Sequence, residues 1–226
     1  MSYKKIVLHI PHSAIGGLYD AGYSDCRLLN EQARKWTDWY TDYLFDQHVQ
    51  GIVSVQSIFS RFVVDCERLI NDPLEAQGQG VLYERFDGNY RTISDDERTR
   101  LMAYYTQHHD RLRNELKPGS LLIDCHSFPS DMADVDVCIG YNEDWSKPNA
   151  ELLRLVRETF EKAGYSVAEN TPYSNSVSPK TTFAYPSLMI EVNKRCYMDE
   201  NTLRLTDGSD ELRRTINYLY TMLLND

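Results

Sequence analysis

The stretch LLIDCHSFPSD, residues 121–131, begins as an apolar run and then places an acid and an imidazole close together. An apolar run without polar alternation is typical of a strand that is buried on both faces of a sheet. Asp124 and His126 are two residues apart, so on an extended segment their side chains point to the same side. The stretch therefore predicts a buried strand that presents a polar pair at its carboxyl end.

Six other segments have the composition of strands, and helical segments lie between them. The strand candidates are KKIVLHI, GIVSVQS, RFVVD, VDVCIG, YSVAEN and SLMIEV. Apolar spacing and capping residues predict helices over about 26–48, 94–117, 147–163 and 208–224. Strands that alternate with helices indicate an α/β fold whose sheet is covered on both faces.

Composition limits the classes of protein that this chain can represent. With 226 residues, 42% hydrophobic and 26% charged, we expect a single globular domain over residues 1–226. A net charge of −10 disfavours nucleic acid as a partner. The apolar runs are shorter than the roughly 20 residues of a membrane span, and MSYKKIVLHI is typical of a first strand rather than an export signal. We expect a cytoplasmic protein that does not bind a membrane. The sequence does not predict its oligomeric state.

Polar residues cluster where the predicted strands end. Open α/β sheets bind ligands beyond the carboxyl ends of their strands, because the connecting loops converge there. These ends therefore define a candidate site. The residues that follow the predicted strands are His9, His12, Asp65, Arg68, Asp124, His126, Glu191 and Asn193.

Two of these histidines are candidate metal ligands. His12 and His126 lie at separate strand ends, one ligand short of a catalytic zinc site, although either could be a hydrogen-bonded turn residue. Asp38 and Asp42 are expected on one face of the first predicted helix and could supply the third ligand, or belong to a solvated acidic face. The five scattered cysteines contain no CxxC pair, which disfavours a thiolate site.

A general base and an anion-binding group are also present in the sequence. Glu191 follows four apolar residues, so burial should raise its pKa toward that of a useful base, unless it pairs with a neighbouring lysine or arginine. Arg68 could bind a substrate carboxylate through two hydrogen bonds, or could form a surface ion pair. In the helix over 94–117, we expect His108 to face solvent and His109 to face inward.

Taken in order, His12, VVDCER (63–68), DCHS (124–127) and EVNKRCYMDE (191–200) resemble the N-formylglutamate amidohydrolase family. That family is similar to zinc carboxypeptidases and aspartoacylase-like hydrolases. The resemblance implies a three-layer α/β/α fold of the phosphorylase/hydrolase-like type, with a mixed, largely parallel central sheet. It also implies one zinc ion per chain and hydrolysis of a linear amide in a small anionic N-acyl amino acid, such as N-formylglutamate.

The resemblance assigns expected roles to individual residues. The zinc ligands would be His12, His126 and either Asp38 or Asp42. Glu191 would be the catalytic base, and Arg61 would stabilise the oxyanion. The expected substrate-binding residues are Arg68, Tyr173 and Asn193, and the expected residues supporting the centre are Asp124, His109 and Asp136.

Two departures from the family pattern keep other functions open. Glu67 stands where the family has asparagine, and SNS (174–176) replaces a Gly-Gly pair. The chain could therefore be a non-catalytic α/β module that binds an acidic metabolite or a peptide end. It could also be a related zinc amidase or carboxypeptidase that acts on a peptide. The loops over 73–93 and 170–186 would decide the substrate.

Overall fold

A computed structural model of the chain describes residues 2–224. Its strands are β1 (Lys5–Ile10), β2 (Ile52–Gln56), β3 (Arg85–Phe86), β4 (Asn89–Tyr90), β5 (Ser120–Phe128), β6 (Val137–Gly140), β7 (Val167–Glu169), β8 (Ser187–Asn193), β9 (Met198–Asp199) and β10 (Arg204–Leu205). Its α-helices are α1 (Cys26–Trp36), α2 (Thr41–Phe45), α3 (Asp95–Glu115), α4 (Ala150–Lys162) and α5 (Gly208–Leu224). Two short 3₁₀ helices span Pro73–Gln77 and Lys194–Cys196.

A six-stranded mixed sheet lies at the centre of the described residues, in the order β2-β1-β5-β8-β6-β7. The first four strands in this order are parallel to one another, and β6 and β7 run in the opposite direction. The short pairs β3-β4 and β9-β10 form separate antiparallel ribbons. The edge formed by the carboxyl ends of β1, β5 and β8 therefore brings together the polar residues that the sequence places after these strands.

Helices cover both faces of this sheet. On one face, Leu112 of α3 lies in an apolar cluster with Val7 and Leu122. On the other face, a larger cluster contains Ile123 of β5 and residues of α2, α4 and α5 such as Phe160. Adjacent strand residues point to opposite faces, so Leu122 and Ile123 enter different clusters. The predicted α/β fold with a mixed, largely parallel sheet is confirmed.

Side-chain caps explain where three of the helices begin. Asp25, Ser94 and Asn149 each accept a hydrogen bond from a backbone N–H of the first helical turn, at 2.9, 3.3 and 2.9 Å. These bonds satisfy backbone donors that have no partner within a helix. Among residues 2–224, no helix combines the length and apolar character that a membrane crossing requires.

The helix expected over 26–48 is interrupted, and this part of the prediction was wrong. α1 ends at Trp36, and α2 starts only at Thr41 after a turn. Tyr40 has φ 66°, which lies in the left-handed region and cannot continue a right-handed helix. Asp38 therefore lies in a turn, and its backbone N–H donates to the carbonyl of His12 at 3.0 Å.

The segment RFVVD was predicted as a strand and instead forms turns. The backbone N–H groups of Val63 and Val64 both donate to the carbonyl of Ser60, at 2.8 and 3.0 Å. Both valines are buried in a further apolar cluster that includes Phe62 and Leu29 of α1. Local turn bonds and this cluster satisfy the backbone and the apolar side chains, so no ladder partner is needed.

The packing predicts a clear difference between two neighbouring positions of α5. Leu219 is completely buried, whereas Met222, three residues further on, is 40% exposed. We expect Leu219→Ala to lower the free energy of unfolding by about 2–5 kcal/mol and Met222→Ala to lower it by less than about 1 kcal/mol. Denaturant unfolding measures the difference, provided that the free energy of unfolding depends on denaturant concentration with the same slope in both variants. Equal losses would contradict the assigned packing of α5.

Candidate active site

A cleft of about 1160 Å³ opens beyond the carboxyl ends of β1, β5 and β8. Loop residues from the turn after β2 and from the segment over 173–180 complete its walls. Most of the residues singled out in the sequence meet here. Those that line the cleft are His12, Asp38, Arg61, Arg68, His109, His126, Tyr173 and Glu191.

Three side chains in this cleft form a possible metal site. His12, Asp38 and His126 are all buried and offer ligand atoms that lie within 4.8 Å of one another. Asp38 Oδ2 lies 3.7 Å from His12 Nδ1 and 2.9 Å from His126 Nδ1. Two imidazoles and one carboxylate are the donor set of several catalytic zinc centres. The residues present therefore fit a zinc ion.

The hydrogen bonds of His12 leave one ring nitrogen available for a metal. Nε2 donates to Asp65 Oδ1 at 2.7 Å, since a carboxylate can only accept. Nδ1 is buried and has no hydrogen-bond partner within the described part of the chain. A carboxylate on the far nitrogen fixes the tautomer and raises the basicity of a ligating histidine.

Asp65, which the sequence marked only as a strand-end residue, connects the metal donors to the two arginines. Besides His12, it contacts Arg61 Nη2 at 3.2 Å and Arg68 Nε at 3.8 Å. Burial alone would raise the pKa of Asp65, but His12 and Arg61 hold it well below its ordinary range. No spacing rule predicts these contacts, because the turn over 61–68 brings the groups together.

Asp124 lies beneath His126 and links it to β1. Its Oδ1 is 3.3 Å from His126 Nε2 and accepts a hydrogen bond from His9 Nδ1 at 2.7 Å. Its Oδ2 accepts from the backbone N–H of Val177 in the loop over 170–186, at 2.9 Å. The proximity of Asp124 and His126 agrees with their i, i+2 spacing on a strand.

One of the two histidines of α3 differs from its expected position. His108 is buried, and its Nε2 lies 2.9 Å from His9 Nε2, so the expectation that it faces solvent was wrong. His109 is half-buried at the cleft wall, where its ring packs on Tyr105. His9, a polar residue of β1, is a buried hydrogen-bond partner for His108, and helical periodicity gives no sign of such a partner.

Glu191 lies beside His126 because the two residues are register partners in β8 and β5. It is 7% exposed, and its Oε2 has no hydrogen-bond partner among residues 2–224. Burial raises the pKa of Glu191 from its ordinary value of 4.5 to about 8, and the nearby Asp38 adds to this rise. The carboxyl group can therefore exchange a proton near neutral pH.

Arg61 and Arg68 carry positive charge to the same cleft. Arg68 Nη2 donates to the hydroxyl of Tyr83 at 3.4 Å, and its backbone carbonyl accepts from Tyr105 at 2.8 Å. The Nε atom of Arg68 is buried without a hydrogen-bond partner in the described chain. For Arg61, burial opposes ionisation, but Asp65 outweighs it and raises the pKa above its ordinary value. Both guanidinium groups are available to an anion.

Three predicted site residues do not lie in this cluster. Asp42 is exposed on α2, because the turn at Tyr40 breaks the helical face that it was expected to share with Asp38. Asn193 is buried and donates to the carbonyls of Ala133 and Val135.

Asp136 is also placed away from the cleft. It accepts hydrogen bonds from Ser166 and pairs with Arg195, and so joins the start of β6 to the segment before β7. Asn193 and Asp136 therefore stabilise loops rather than reach the cleft wall. By contrast, Tyr173 lies at the wall, where its ring packs near Phe128.

The difference between the two aspartates predicts a difference in metal binding. We expect Asp38→Asn to weaken zinc binding by more than the 10- to 100-fold that loss of an outer partner typically costs, because it changes one of the three candidate ligands. Asp42→Asn should leave the affinity unchanged. Competition with a chromogenic chelator measures both. Equal affinities for the two variants would exclude Asp38 as a ligand.

The raised pKa of Glu191 predicts a pH-dependent stability of the metal-free protein. Between pH 4.5 and about 8 the unfolded chain loses this proton while the folded protein keeps it. The folded protein therefore binds more protons, and the wild type should lose stability relative to Glu191→Gln as the pH rises through this range, with no further change above it. Thermal unfolding of both proteins in chelator tests this. A difference that is constant over the range would contradict the burial of an ionisable Glu191.

Comparisons with known proteins identify the family and agree with the fold. Residues 4–198 match the model of the N-formylglutamate amidohydrolase family. None of the curated protein sequences matches the chain. Among solved structures, an N-formylglutamate amidohydrolase from Ralstonia eutropha is similar with a TM-score of 0.82 and 22% identity, over 98% of this chain and 93% of that one. A gene product of Agrobacterium tumefaciens is similar with a TM-score of 0.63 and 15% identity, over 98% and 92%.

The two structural similarities support the fold, and the family match covers most of the chain. The match includes all of the residues that line the candidate metal site, from His12 to Glu191. This protein therefore belongs to the N-formylglutamate amidohydrolase family and is a hydrolase of amide carbon–nitrogen bonds.

Proposed function

We propose that this protein hydrolyses the amide bond of an N-acyl amino acid, with N-formyl-L-glutamate as the first candidate, at a zinc ion bound by His12, Asp38 and His126. The observation that carries the proposal is the position of Glu191. This buried carboxyl group lies beside His126 in the same cleft and has an unpartnered oxygen. A metal donor set with an adjacent proton acceptor is the arrangement that metal-assisted hydrolysis requires.

The donor set supports zinc as the metal. Two neutral imidazoles and one carboxylate leave a coordination position open. Zinc bound there would act as a Lewis acid and lower the pKa of a water molecule from about 15.7 to about 7. Burial opposes ionisation of Asp38, but the neighbouring imidazoles of His12 and His126 outweigh it and hold the pKa of this carboxyl group well below its ordinary range.

Glu191 is the proposed general base. With a pKa near 8 in the protein without metal, its carboxylate can take a proton from the attacking water and return it to the leaving nitrogen. A bound cation would favour the carboxylate form, because opposite charge nearby lowers the pKa of an acid. The register between β5 and β8 holds Glu191 in place, so little reorientation is required.

Arg61 is the proposed stabiliser of the negative charge that develops on the carbonyl oxygen. Its guanidinium group lies at the cleft wall and is held by Asp65 at 3.2 Å. A donor fixed before the reaction stabilises the transition state without a cost of reorganisation. The loss of one such donor typically lowers the rate by about 100- to 1000-fold.

Arg68 is the proposed anchor for a carboxylate of the substrate. Contacts with Tyr83 and Tyr105 hold its side chain and backbone. A guanidinium group can bind a carboxylate through two parallel hydrogen bonds, which fixes the orientation of the substrate as well as its affinity. Tyr173 lies on the same cleft and would pack against the acyl amino acid.

The proposal predicts that Glu191→Gln separates metal binding from turnover. We expect this variant to bind zinc like the wild type and to hydrolyse N-formyl-L-glutamate at least about 100-fold more slowly, because the proton acceptor is lost. A coupled assay for free glutamate measures the rate, and elemental analysis measures the zinc. Glu143→Gln, at an exposed carboxylate, is the matched control and should keep full activity.

Two outcomes would contradict the proposal. A Glu191→Gln protein with the wild-type rate would exclude Glu191 as the base. A wild-type protein that holds zinc but cleaves none of a panel of N-formyl and N-acetyl amino acids would exclude the proposed reaction. In that case, the binding of an acidic metabolite or a peptide end would be favoured.

A further inference from the structure

We propose that a second divalent cation binds on the opposite side of His126, held by His9, Glu67 and Asp124. These three residues form a second group of possible metal ligands whose donor atoms lie within 4.8 Å of one another. The reaction proposed above uses none of them as a metal ligand. Glu67 is also the residue that departs from the family pattern, so this inference gives that departure a chemical role.

The donor atoms of His9, Glu67 and Asp124 lie within 4.8 Å of one another, and His126 Nε2, which is not a ligand of this group, lies beside the two carboxylates. Glu67 Oε2 lies 3.6 Å from His9 Nδ1 and 3.4 Å from His126 Nε2. Asp124 Oδ1 lies 3.3 Å from the same His126 nitrogen. For metal–ligand bonds of about 2.0–2.1 Å, tetrahedral ligands are roughly 3.3 Å apart. The 3.6 Å distance between Glu67 and His9 is close to this value, whereas the 2.7 Å hydrogen bond between His9 and Asp124 must lengthen when an ion binds.

Two buried polar atoms point into this group without satisfying one another. Glu67 Oε2 and His126 Nε2 are both inaccessible to solvent and have no hydrogen-bond partner among residues 2–224. His126 as a whole is only 4% exposed. Buried polar atoms in folded proteins almost always have a partner, and an unpartnered carboxylate oxygen such as Glu67 Oε2 often marks the position of an ion or a water molecule.

The charges around the group favour a cation. Glu67 and Asp124 face the same imidazoles, and the two nearby arginines are directed to Asp65 instead. Burial raises the pKa of Glu67, and the charge of Asp124 raises it further, so the two carboxylates repel each other. A divalent ion between them would remove this repulsion and keep both carboxylates ionised.

His108 prepares His9 for metal binding. The two rings are joined through their Nε2 atoms at 2.9 Å. Burial lowers the pKa of His108 to about 2, so this ring stays neutral and can accept a hydrogen bond. In the metal-free protein the proton of His9 lies on Nδ1, which donates to Asp124. Ion binding would displace this proton, and His9 would then donate from Nε2 to His108 and present the lone pair of Nδ1 to the ion.

His126 would separate the two ions. Its Nδ1 faces Asp38 in the first group, and its Nε2 faces Glu67 and Asp124 in the second. The ions would therefore lie on opposite edges of one ring. The three ligands of the second site do not require the ring to lose its Nε2 proton, so the first site keeps a neutral imidazole.

Zinc titration of the metal-free protein tests the inference. We expect calorimetry with Zn²⁺ to give two equivalents per chain, the weaker being filled only at higher zinc concentration. Glu67→Gln and His9→Gln should each bind one equivalent, and so should Asp38→Asn, which disrupts only the first site. Glu75→Gln, at an exposed carboxylate of the Pro73–Gln77 turn, is the matched control and should bind two.

The outcomes separate this inference from the proposed reaction. Wild-type protein that saturates at one equivalent, or a Glu67→Gln protein that still binds two, would overturn the second site. Circular dichroism and the retained first equivalent show that Glu67→Gln and His9→Gln are folded. If the protein binds one zinc and hydrolyses N-formyl-L-glutamate, the reaction stands and the second site is excluded. If the protein binds two zinc ions per chain and hydrolyses none of the tested substrates, the second site stands and the proposed reaction is excluded.

Discussion

The lateral register of β1, β5 and β8 is the constraint on which the site depends. Parallel pairing places His9 beside Asp124 and His126 beside Glu191, each pair on one face of the sheet. A shift of one residue would turn these side chains into the apolar layer on the other face. The sheet is apolar on both faces next to this edge, so packing as well as hydrogen bonding fixes the register. The buried apolar residues that precede the polar residues on each strand therefore fix the position of the polar cluster.

Charge is the second constraint, because several carboxylates lie in or beneath one cleft with few cations. Each has a different environment, and its pKa follows from that environment. Asp65 is paired with two arginines, and Asp38 contacts two imidazoles. Glu191 is buried, its Oε2 has no hydrogen-bond partner within residues 2–224, and its pKa is raised. This distribution separates a carboxylate that can hold a metal from a carboxyl group that can exchange a proton. A single ion at the first site would not neutralise the remaining negative charge, which lies on Glu67 and Asp124.

The sequence predicted the central strands and the strand-end residues because apolar runs and i, i+2 spacing are local signals. The arrangement of His12, His126 and Glu191 in one cleft follows from such signals and from the convergence of strand ends. Asp42 was included because the helix was expected to continue, and nothing local marks Tyr40 as left-handed. The roles of Asp65 and His108 depend on contacts between segments that are 53 and 99 residues apart, which periodicity cannot indicate.

The several contacts of Asp65 have a consequence for how this enzyme could diverge. The Asp65 carboxylate contacts the imidazole of His12, a candidate metal ligand, and both guanidinium groups of the cleft. Under the proposed mechanism, a substitution of Asp65 would disturb catalysis and substrate binding together, so neither property could change alone through this position. Asp124, in contrast, contacts the loop over 170–186 through a single backbone amide, which imposes no side-chain identity on Val177. Side chains of that loop could therefore be exchanged, and the shape of the cleft changed, without loss of the hydrogen bond that joins the loop to Asp124.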